Sequence, residues 1–123
     1  MENKDKANSF SDLIVWQKAH RFVLAIYKMT DSFPKSEMFG LISQMRRAAF
    51  SIPANIAEGF KKKSKADKLR YYNIAQGSIE EIKYFLLLSR DLGFADTNKL
   101  NDDICEISKM IDSYMKKINT SVS

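Results

Sequence analysis

The 123-residue sequence predicts an all-α fold, an antiparallel up-down-up-down four-helix bundle with a proline-kinked second helix. The chain holds only four glycines and two prolines, and strand-like alternation of apolar residues is scarce. Four segments instead carry apolar residues at steps of three and four. Each segment has about 20 residues, or roughly 30 Å as a helix. Short turns between such helices favour antiparallel neighbours.

The first helix is expected from about Asp12 to Ser32. Pro34 ends it, because the residue before a proline avoids the helical region. Its apolar stripe comprises Trp16, Ala19, Val23, Ile26, Thr30 and Phe33.

The second helix is expected to start near Ser36. Its stripe keeps its phase across Pro53, so the proline is predicted to kink the helix and not to end it. Gly59 suits a C-terminal cap, where the left-handed backbone favours glycine. The stripe comprises Met38, Leu41, Met45, Ala48, Ile52 and Ile56.

The third helix is expected from about Ser64 to Leu92, and the fourth from about Thr97 to Ile118. Ser64 with Asp67 resembles a capping box, and Gly93 is a C-terminal signal. The third stripe comprises Tyr71, Ala75, Ser78, Ile82, Phe85, Ser89 and Leu92, and the fourth Leu100, Ile104, Ile107, Ile111, Tyr114 and Ile118. The bundle domain is predicted to cover residues 10–118, between a flexible arm, residues 1–9, and a frayed tail, residues 119–123.

Composition indicates a protein of the cytoplasm. The single cysteine, Cys105, cannot pair within the chain, which fits a reducing compartment. No run approaches the roughly 20 apolar residues that span a bilayer, so no membrane partner is expected. The opening "MENKDKANSF" has no apolar signal-peptide core.

The residues that carry most enzyme chemistry are scarce. His20 is the only histidine, no Cys/His cluster has zinc spacing, and no glycine-rich loop can cradle phosphate. We therefore expect no catalytic residue, no cofactor and no metal site. Glu58, Glu80 and Glu81 are the acidic residues that a metal site would draw on.

The second and third helices have more apolar faces than one bundle core can bury. Phe50, Ala54 and Ala57 lie off the core stripe of helix 2, and residues 84–88 of helix 3 point in every direction. A helix that is apolar all round needs another neighbour, and a large exposed patch is an association site. Self-association through helix 2 and the second half of helix 3 is therefore predicted; a wider core is the alternative.

Helix 2 also carries a polar line at steps of three and four, Gln44, Arg47, Ser51, Asn55 and Glu58. The line indicates a hydrogen-bonded network that sets the register of packing; a catalytic site is the alternative. The candidates for an oligomer interface or structural network are Gln44, Arg47, Phe50, Asn55, Glu58, Tyr84, Leu87 and Leu88.

A basic turn joins helices 2 and 3. Its candidate nucleic-acid-binding residues are Lys61, Lys62, Lys63, Lys65, Lys68 and Arg70, with Arg46 as an extension on helix 2. Cations can neutralise phosphates, and the neighbouring rings of Tyr71 and Tyr72 can stack on unpaired bases. The alternative is a solvated turn that places positive charge at the negative end of helix 2. The net charge of +5 raises the expectation of a polyanion partner only modestly.

Four motifs carry a family resemblance: "DLIVWQKA", "FPKSEMFGL", "QMRRAAFSIPANIAEG" and "IAQGSIEE". With them, the chain from about Phe10 to Phe94 resembles the four-helix-bundle proteins encoded in intervening sequences of bacterial 23S ribosomal RNA genes. The resemblance implies a homopentamer and kinship with the accessory proteins of diversity-generating retroelements, which bind nucleic acid and a reverse transcriptase through basic surfaces. It also implies that Arg47, Asn55 and Glu58 hold helix packing or the subunit interface.

Two functions remain open at this point. One is a non-catalytic homo-oligomer that binds RNA or DNA through repeated copies of the basic turn, since several copies of a weak patch bind with avidity. The alternative is a scaffold for a protein partner such as a reverse transcriptase, with no nucleic-acid binding of its own.

Overall fold

The fold was obtained as a computed structural model that describes residues 7–121. Within that range the chain forms four α-helices and no β-strand: α1 (Ile14–Thr30), α2 (Ser43–Lys61), α3 (Lys65–Asp91) and α4 (Asn98–Thr120). Two 3-10 turns, Phe10–Asp12 and Lys35–Glu37, and a π-helical turn, Met38–Ile42, lie before α1 and α2. The predicted four-helix bundle is confirmed.

The contacts between α2 and α3 run in opposite directions along the two helices. Near the start of α2, the Ser89 hydroxyl lies 3.4 Å from the Met45 sulfur. Near its end, Gly59 lies against the Tyr72 ring. Rising residue numbers on α2 thus meet falling numbers on α3, so the two helices are antiparallel.

Polar contacts join α4 to both of its neighbours. The Gln76 side-chain amide of α3 donates to the Ser108 carbonyl of α4 at 2.9 Å. Lys18 of α1 forms an ion pair with Glu106 of α4 at 3.4 Å. Each helix therefore packs against two others, and the apolar faces close around one core.

One continuous core fills the centre of the bundle, and the steps of three and four predicted most of it. The predicted stripe residues Met38 and Leu92 are exceptions, at 43% and 50% exposed, because they lie in turns outside α2 and α3. The largest fully buried side chains are Leu13, Ile26, Ile42, Met45, Ile52, Ile56, Ile79, Ile82, Leu86, Ile104, Ile107 and Ile111.

Helix α2 continues through Pro53, which is buried inside it. The proline therefore does not end the helix, as the unbroken phase of the stripe predicted; the kink remains a prediction. The α-helical part of this segment starts at Ser43 and not near Ser36, because the preceding residues form the 3-10 and π-helical turns.

Two glycines that were both predicted as helix caps have different roles. Gly93 has a φ of 77°, and the N–H groups of Gly93 and Phe94 donate to the carbonyls of Arg90 and Ser89 at 3.0 and 2.9 Å. This is the Schellman ending of a helix, so the Gly93 prediction is confirmed. The Gly59 prediction is wrong, because this residue lies inside α2 and lets α3 approach closely.

Ser64 caps the N-terminal end of α3, because its hydroxyl accepts a hydrogen bond from the Asp67 N–H at 3.1 Å. Of the predicted capping box, this is the one bond that the described residues show. The predictions of a loose arm and a frayed tail fall partly on residues 1–6 and 122–123, which lie outside the described residues. At the C-terminal end α4 continues through Thr120. Among residues 7–121, no helix is long and apolar enough to cross a membrane.

Candidate functional site

Two of the six lysine and arginine side chains at the basic turn hold helix ends. The Lys68 ammonium donates to the Gly59 and Phe60 carbonyls at 3.2 and 2.8 Å. The Lys65 ammonium donates to the Asn119 and Ser121 carbonyls at 3.3 and 2.6 Å. The last carbonyls of a helix lack intrahelical partners and carry the negative end of its dipole. Lys65 and Lys68 therefore stabilise the C-terminal ends of α4 and α2.

Two further cations, Lys62 and Arg70, lie beside the Tyr71 ring, at 5.2 and 4.7 Å from its centroid. Each also pairs loosely with an acid: Lys62 with Glu58 and Arg70 with Asp67, both at 3.8 Å. Exposed ion pairs of this kind contribute little stability. A phosphate group can therefore replace either carboxylate at small cost.

Lys61 and Lys63 are the uncommitted cations of the turn. Both side chains are exposed. Within the part of the chain that the structure describes, neither forms a hydrogen bond or an ion pair. They are the residues of this turn best placed to contact a polyanion.

The aromatic residues beside the turn differ in access. Tyr72 is only 5% exposed, so its ring cannot stack on a base without opening the core. The expectation that Tyr72 stacks on bases is therefore wrong, because its ring packs against Gly59. Tyr71 is half-buried and reaches the surface beside Lys62 and Arg70.

Arg46 does not join the basic turn. It precedes Lys61 on α2 by about 22 Å along the helix axis, at roughly 1.5 Å per residue. Its guanidinium donates to the Thr30 hydroxyl at 2.9 Å and to the Asp31 carboxylate at 3.0 Å, and lies 4.5 Å from the centroid of the Tyr27 ring. Arg46 therefore ties α2 to the C-terminal end of α1.

The middle of the predicted polar line forms a network between α2 and α3. The Ser51 and Ser78 hydroxyls are 2.9 Å apart. The Asn55 side-chain amide donates to the Ser51 carbonyl at 2.7 Å and to the Ser51 hydroxyl at 3.0 Å. This arrangement favours the structural interpretation of Asn55 over a catalytic one.

The outer members of the line face solvent. Gln44, Arg47 and Glu58 are exposed, and Glu58 forms the loose pair with Lys62. Arg47 forms no ion pair or hydrogen bond within residues 7–121. Its guanidinium thus has no polar contact in that range, and its place at a subunit interface stays a prediction.

Several apolar side chains are exposed on α2 and α3. Phe50, Tyr84 and Leu87 are 46%, 57% and 42% exposed, whereas Leu88 is half-buried against the core. Ile74 is also exposed, although it is not among the predicted interface residues. Its position off the apolar stripe that contains Tyr71 and Ala75 is the sequence signal that indicates exposure.

The candidate acids for a metal site are Glu58, Glu80 and Glu81, and Glu80 is bonded to a neighbouring lysine. The Glu80 carboxylate lies 2.9 Å from the Lys83 ammonium. This hydrogen bond raises the pKa of Lys83 above its ordinary value of 10.5, against an opposing effect of partial burial. Within residues 7–121, no group of three or more His, Cys, Asp and Glu residues could hold a metal ion. His20 stacks on Trp16 at 5.1 Å between ring centroids.

The protein belongs to the class of four-helix-bundle proteins, with a basic turn between its second and third helices. The chain matches the family model of the 23S rRNA-intervening sequence protein over residues 11–113. It belongs to that family.

A solved structure has the same fold. It is a protein with unknown function from the S23 ribosomal protein family, from Bacteroides thetaiotaomicron VPI-5482, with 28% sequence identity and a TM-score of 0.76. The match covers 84% of this chain and 96% of that chain. A search of curated proteins found no match.

Proposed function

We propose that this protein is a cytoplasmic, non-catalytic homo-oligomer that binds RNA or DNA through the basic turn between α2 and α3. The observation that carries the proposal is the pair of exposed lysines, Lys61 and Lys63, which have no partner within the described residues. Lys62 and Arg70 add two weakly paired cations next to them. Lys65 and Lys68 contribute positive potential while holding helix ends.

The proposed contact is mainly electrostatic. Each phosphate that a cation neutralises releases counterions, which gives a slope of about −0.7 in log affinity against log salt for single strands. Four such cations correspond to a slope of about −2.8 for one copy of the turn. Contact with Tyr71 adds a surface on which an unpaired base can stack.

Self-association supports this function by repeating the turn. The exposed side chains Phe50, Tyr84 and Leu87 lie on the helices that the sequence assigned to subunit contacts. We propose a homopentamer on the family resemblance. Linked copies of one weak site raise the overall affinity without any new contact.

Fluorescence anisotropy with labelled single-stranded RNA, structured RNA and duplex DNA, at two salt concentrations, tests the proposal. We expect micromolar or tighter binding that weakens as salt rises. The double variant Lys61→Glu, Lys63→Glu should bind more weakly and lower the salt slope by about 1.4, equal to two phosphate contacts. Its oligomeric mass should not change.

The matched control is Lys28→Glu, Lys109→Glu, which makes the same change in charge at exposed positions on α1 and α4. An equal loss of affinity in both double variants would mean that only net charge matters. Unchanged affinity in the Lys61, Lys63 variant would refute binding through the turn.

The second candidate is a scaffold for a protein partner such as a reverse transcriptase. The exposed apolar side chains of α2 and α3 support it, because such patches mark association surfaces. This function predicts recovery of one specific partner with the native protein and negligible affinity for nucleic acid even at low salt.

A further inference from the structure

A groove of about 570 Å³ lies between α3 and the C-terminal part of α4. The end of α4 is tied to the basic turn, because the Lys65 ammonium donates to the Asn119 and Ser121 carbonyls. The groove therefore lies at the same end of the bundle as the basic turn, although its α4 side is far from the turn in the sequence.

The two helices that form the groove are antiparallel. Near the start of α3, Lys65 contacts the end of α4, and further along α3, Gln76 donates to the Ser108 carbonyl. Between these contacts, Arg70 of α3 lies at about the level of Lys116 of α4, and both residues line the groove. The fold thus adds a cation of α4 to the cations of the turn.

These two cations are open to a ligand. Lys116 is exposed, and its ammonium has no hydrogen bond or ion pair with any residue from 7 to 121. Arg70 has the loose pair with Asp67, at 3.8 Å, and lies beside the Tyr71 ring. Both can therefore contact the phosphates of a strand through charge-assisted hydrogen bonds, which are stronger than neutral ones.

One acid also lines the groove, and it lies further from the turn. Asp112 precedes Lys116 on α4 by about 6 Å along the helix axis, at roughly 1.5 Å per residue. Its carboxylate accepts a hydrogen bond from the Gln76 side-chain amide at 2.9 Å. Gln76 is neutral, so the carboxylate keeps its charge. A phosphate is therefore favoured at the end of the groove nearest the turn and repelled further in.

The rest of the lining suits a nucleobase. Leu69 and Met115 are half-buried and give the groove an apolar surface. Asn73 is exposed, and its side-chain amide forms no hydrogen bond with any residue that the structure describes. An amide both donates and accepts, whereas the Asp112 carboxylate accepts. The edge of an unpaired base presents groups that can bond to both side chains.

We propose that this groove binds one unpaired nucleotide of a single-stranded nucleic acid, with its phosphate at Arg70 and Lys116 and its base beside Leu69, Asn73 and Met115. The inference rests on the proposed function of the basic turn and deepens it by naming the form of nucleic acid. A paired base cannot enter, because its faces and its pairing edge are occupied within the duplex. The turn contacts phosphates, which single strands and duplexes both carry, so the groove distinguishes the two.

Fluorescence anisotropy tests the groove with a labelled RNA of about 12 nucleotides, the DNA strand of the same sequence and the corresponding DNA duplex. Asn73→Leu keeps the size of the side chain and removes its amide. We expect this variant to bind the single strands about fivefold more weakly, the equivalent of one hydrogen bond, with an unchanged salt slope. Its affinity for the duplex should equal that of the wild type. The strand that the wild type binds more tightly identifies the sugar that the site prefers.

Lys116→Gln removes one cation of the groove. It should lower the salt slope for the single strands by about 0.7, equal to one phosphate contact. The matched control is Lys28→Gln, which makes the same change at an exposed position on α1. Lys28 lies near the end of α1 that Arg46 ties to the start of α2, at the opposite end of the bundle from the turn. This control should bind like the wild type.

Circular dichroism should show all three variants folded, since the substituted positions are exposed. If Asn73→Leu binds the single strands as tightly as the wild type, no base enters the groove and this inference is wrong, while binding by the turn stands. An equal loss of affinity for the duplex, or an unchanged salt slope in Lys116→Gln, would also overturn it. A wild type that binds no nucleic acid even at low salt removes the proposed function itself, and this inference with it.

Discussion

Two glycines inside helices differ in their surroundings, since Gly77 faces open space and Gly59 lies against another helix. Replacing each with alanine therefore separates the effect of helix propensity on stability from the effect of packing. Gly77 is exposed in α3, and a Cβ there meets no atom within 4 Å. Glycine in a helix interior is about 0.8–1.0 kcal/mol less favourable than alanine. We therefore expect Gly77→Ala to raise the free energy of unfolding by about 0.8–1.0 kcal/mol.

Alanine at position 59 gains the same helix propensity, but its Cβ contacts the neighbouring helix α3. A Cβ at this position lies 3.2 Å from Tyr72 Cε1 and 3.3 Å from Tyr71 Cβ. The Cβ of Tyr71 is bonded directly to the backbone of α3, so it cannot move without shifting that helix. The Tyr72 ring is 5% exposed and packed in the core, which opposes its rotation away. Overpacking costs about 1–3 kcal/mol, which exceeds the gain, so Gly59→Ala should lower stability by up to about 2 kcal/mol.

Thermal and urea unfolding followed by far-UV circular dichroism measures both effects. A chain of this length has an unfolding entropy near 260 cal/mol/K, so about 1 kcal/mol shifts Tm by roughly 4 °C. Protein concentration is kept equal across variants, because assembly makes Tm depend on concentration. Gly77→Ala should melt roughly 4 °C higher than wild type, and Gly59→Ala lower.

Two outcomes would refute this reasoning. If Gly59→Ala is as stabilising as Gly77→Ala, the approach of α2 to α3 is not tight. If Gly77→Ala lowers stability, its face of α3 is not open to solvent and packs against another subunit.

Two further predictions concern residues outside the basic turn. Arg46→Ala should lower the free energy of unfolding by about 1–2 kcal/mol, because its bonds to Thr30 and Asp31 are lost. Its nucleic-acid affinity in anisotropy titrations should equal that of the wild type. Weaker binding by a variant of normal stability would contradict the placement of Arg46 outside the basic turn. Glu80→Gln should lower the pKa of Lys83 in an NMR titration, because the carboxylate that raises it is gone. The pKa of Lys83 is higher in the folded state than in the unfolded state. The wild-type pair therefore stabilises the fold below pH 10.5 and loses this contribution as pH rises through the folded-state pKa. An unchanged Lys83 titration in the variant would mean that Glu80 does not act on Lys83.

Local features of the fold were predictable from the sequence because their causes lie within a few residues. The repeat of apolar residues at steps of three and four reflects the 3.6-residue turn of the helix. Gly93 and Ser64 end and begin α3 through bonds to residues close by in the chain. The same local logic failed at Gly59, whose function depends on a tyrosine of another helix.

The clustering of cations at the candidate site was predictable from the sequence, but the bonding partner of each cation was not. All six cationic residues of the turn follow one another closely in the sequence. Lys65, however, binds carbonyls of α4, and Lys68 binds carbonyls at the end of α2. Arg46 belongs to the opposite end of α2 because its partners are on α1.

The sequence by itself determined the helices, their order and the presence of a basic turn, since periodicity, capping and charge are written in neighbouring residues. Only the tertiary structure decided which cations bond to carbonyl or carboxylate oxygens of the chain. Lys61 and Lys63 have no such bond within the described residues. The tertiary structure also decided that Tyr72 is buried while Phe39 is exposed. The physical reason is that a long side chain bonds to whichever polar group lies near it in space. Groups on different helices come near each other only after the helices have packed.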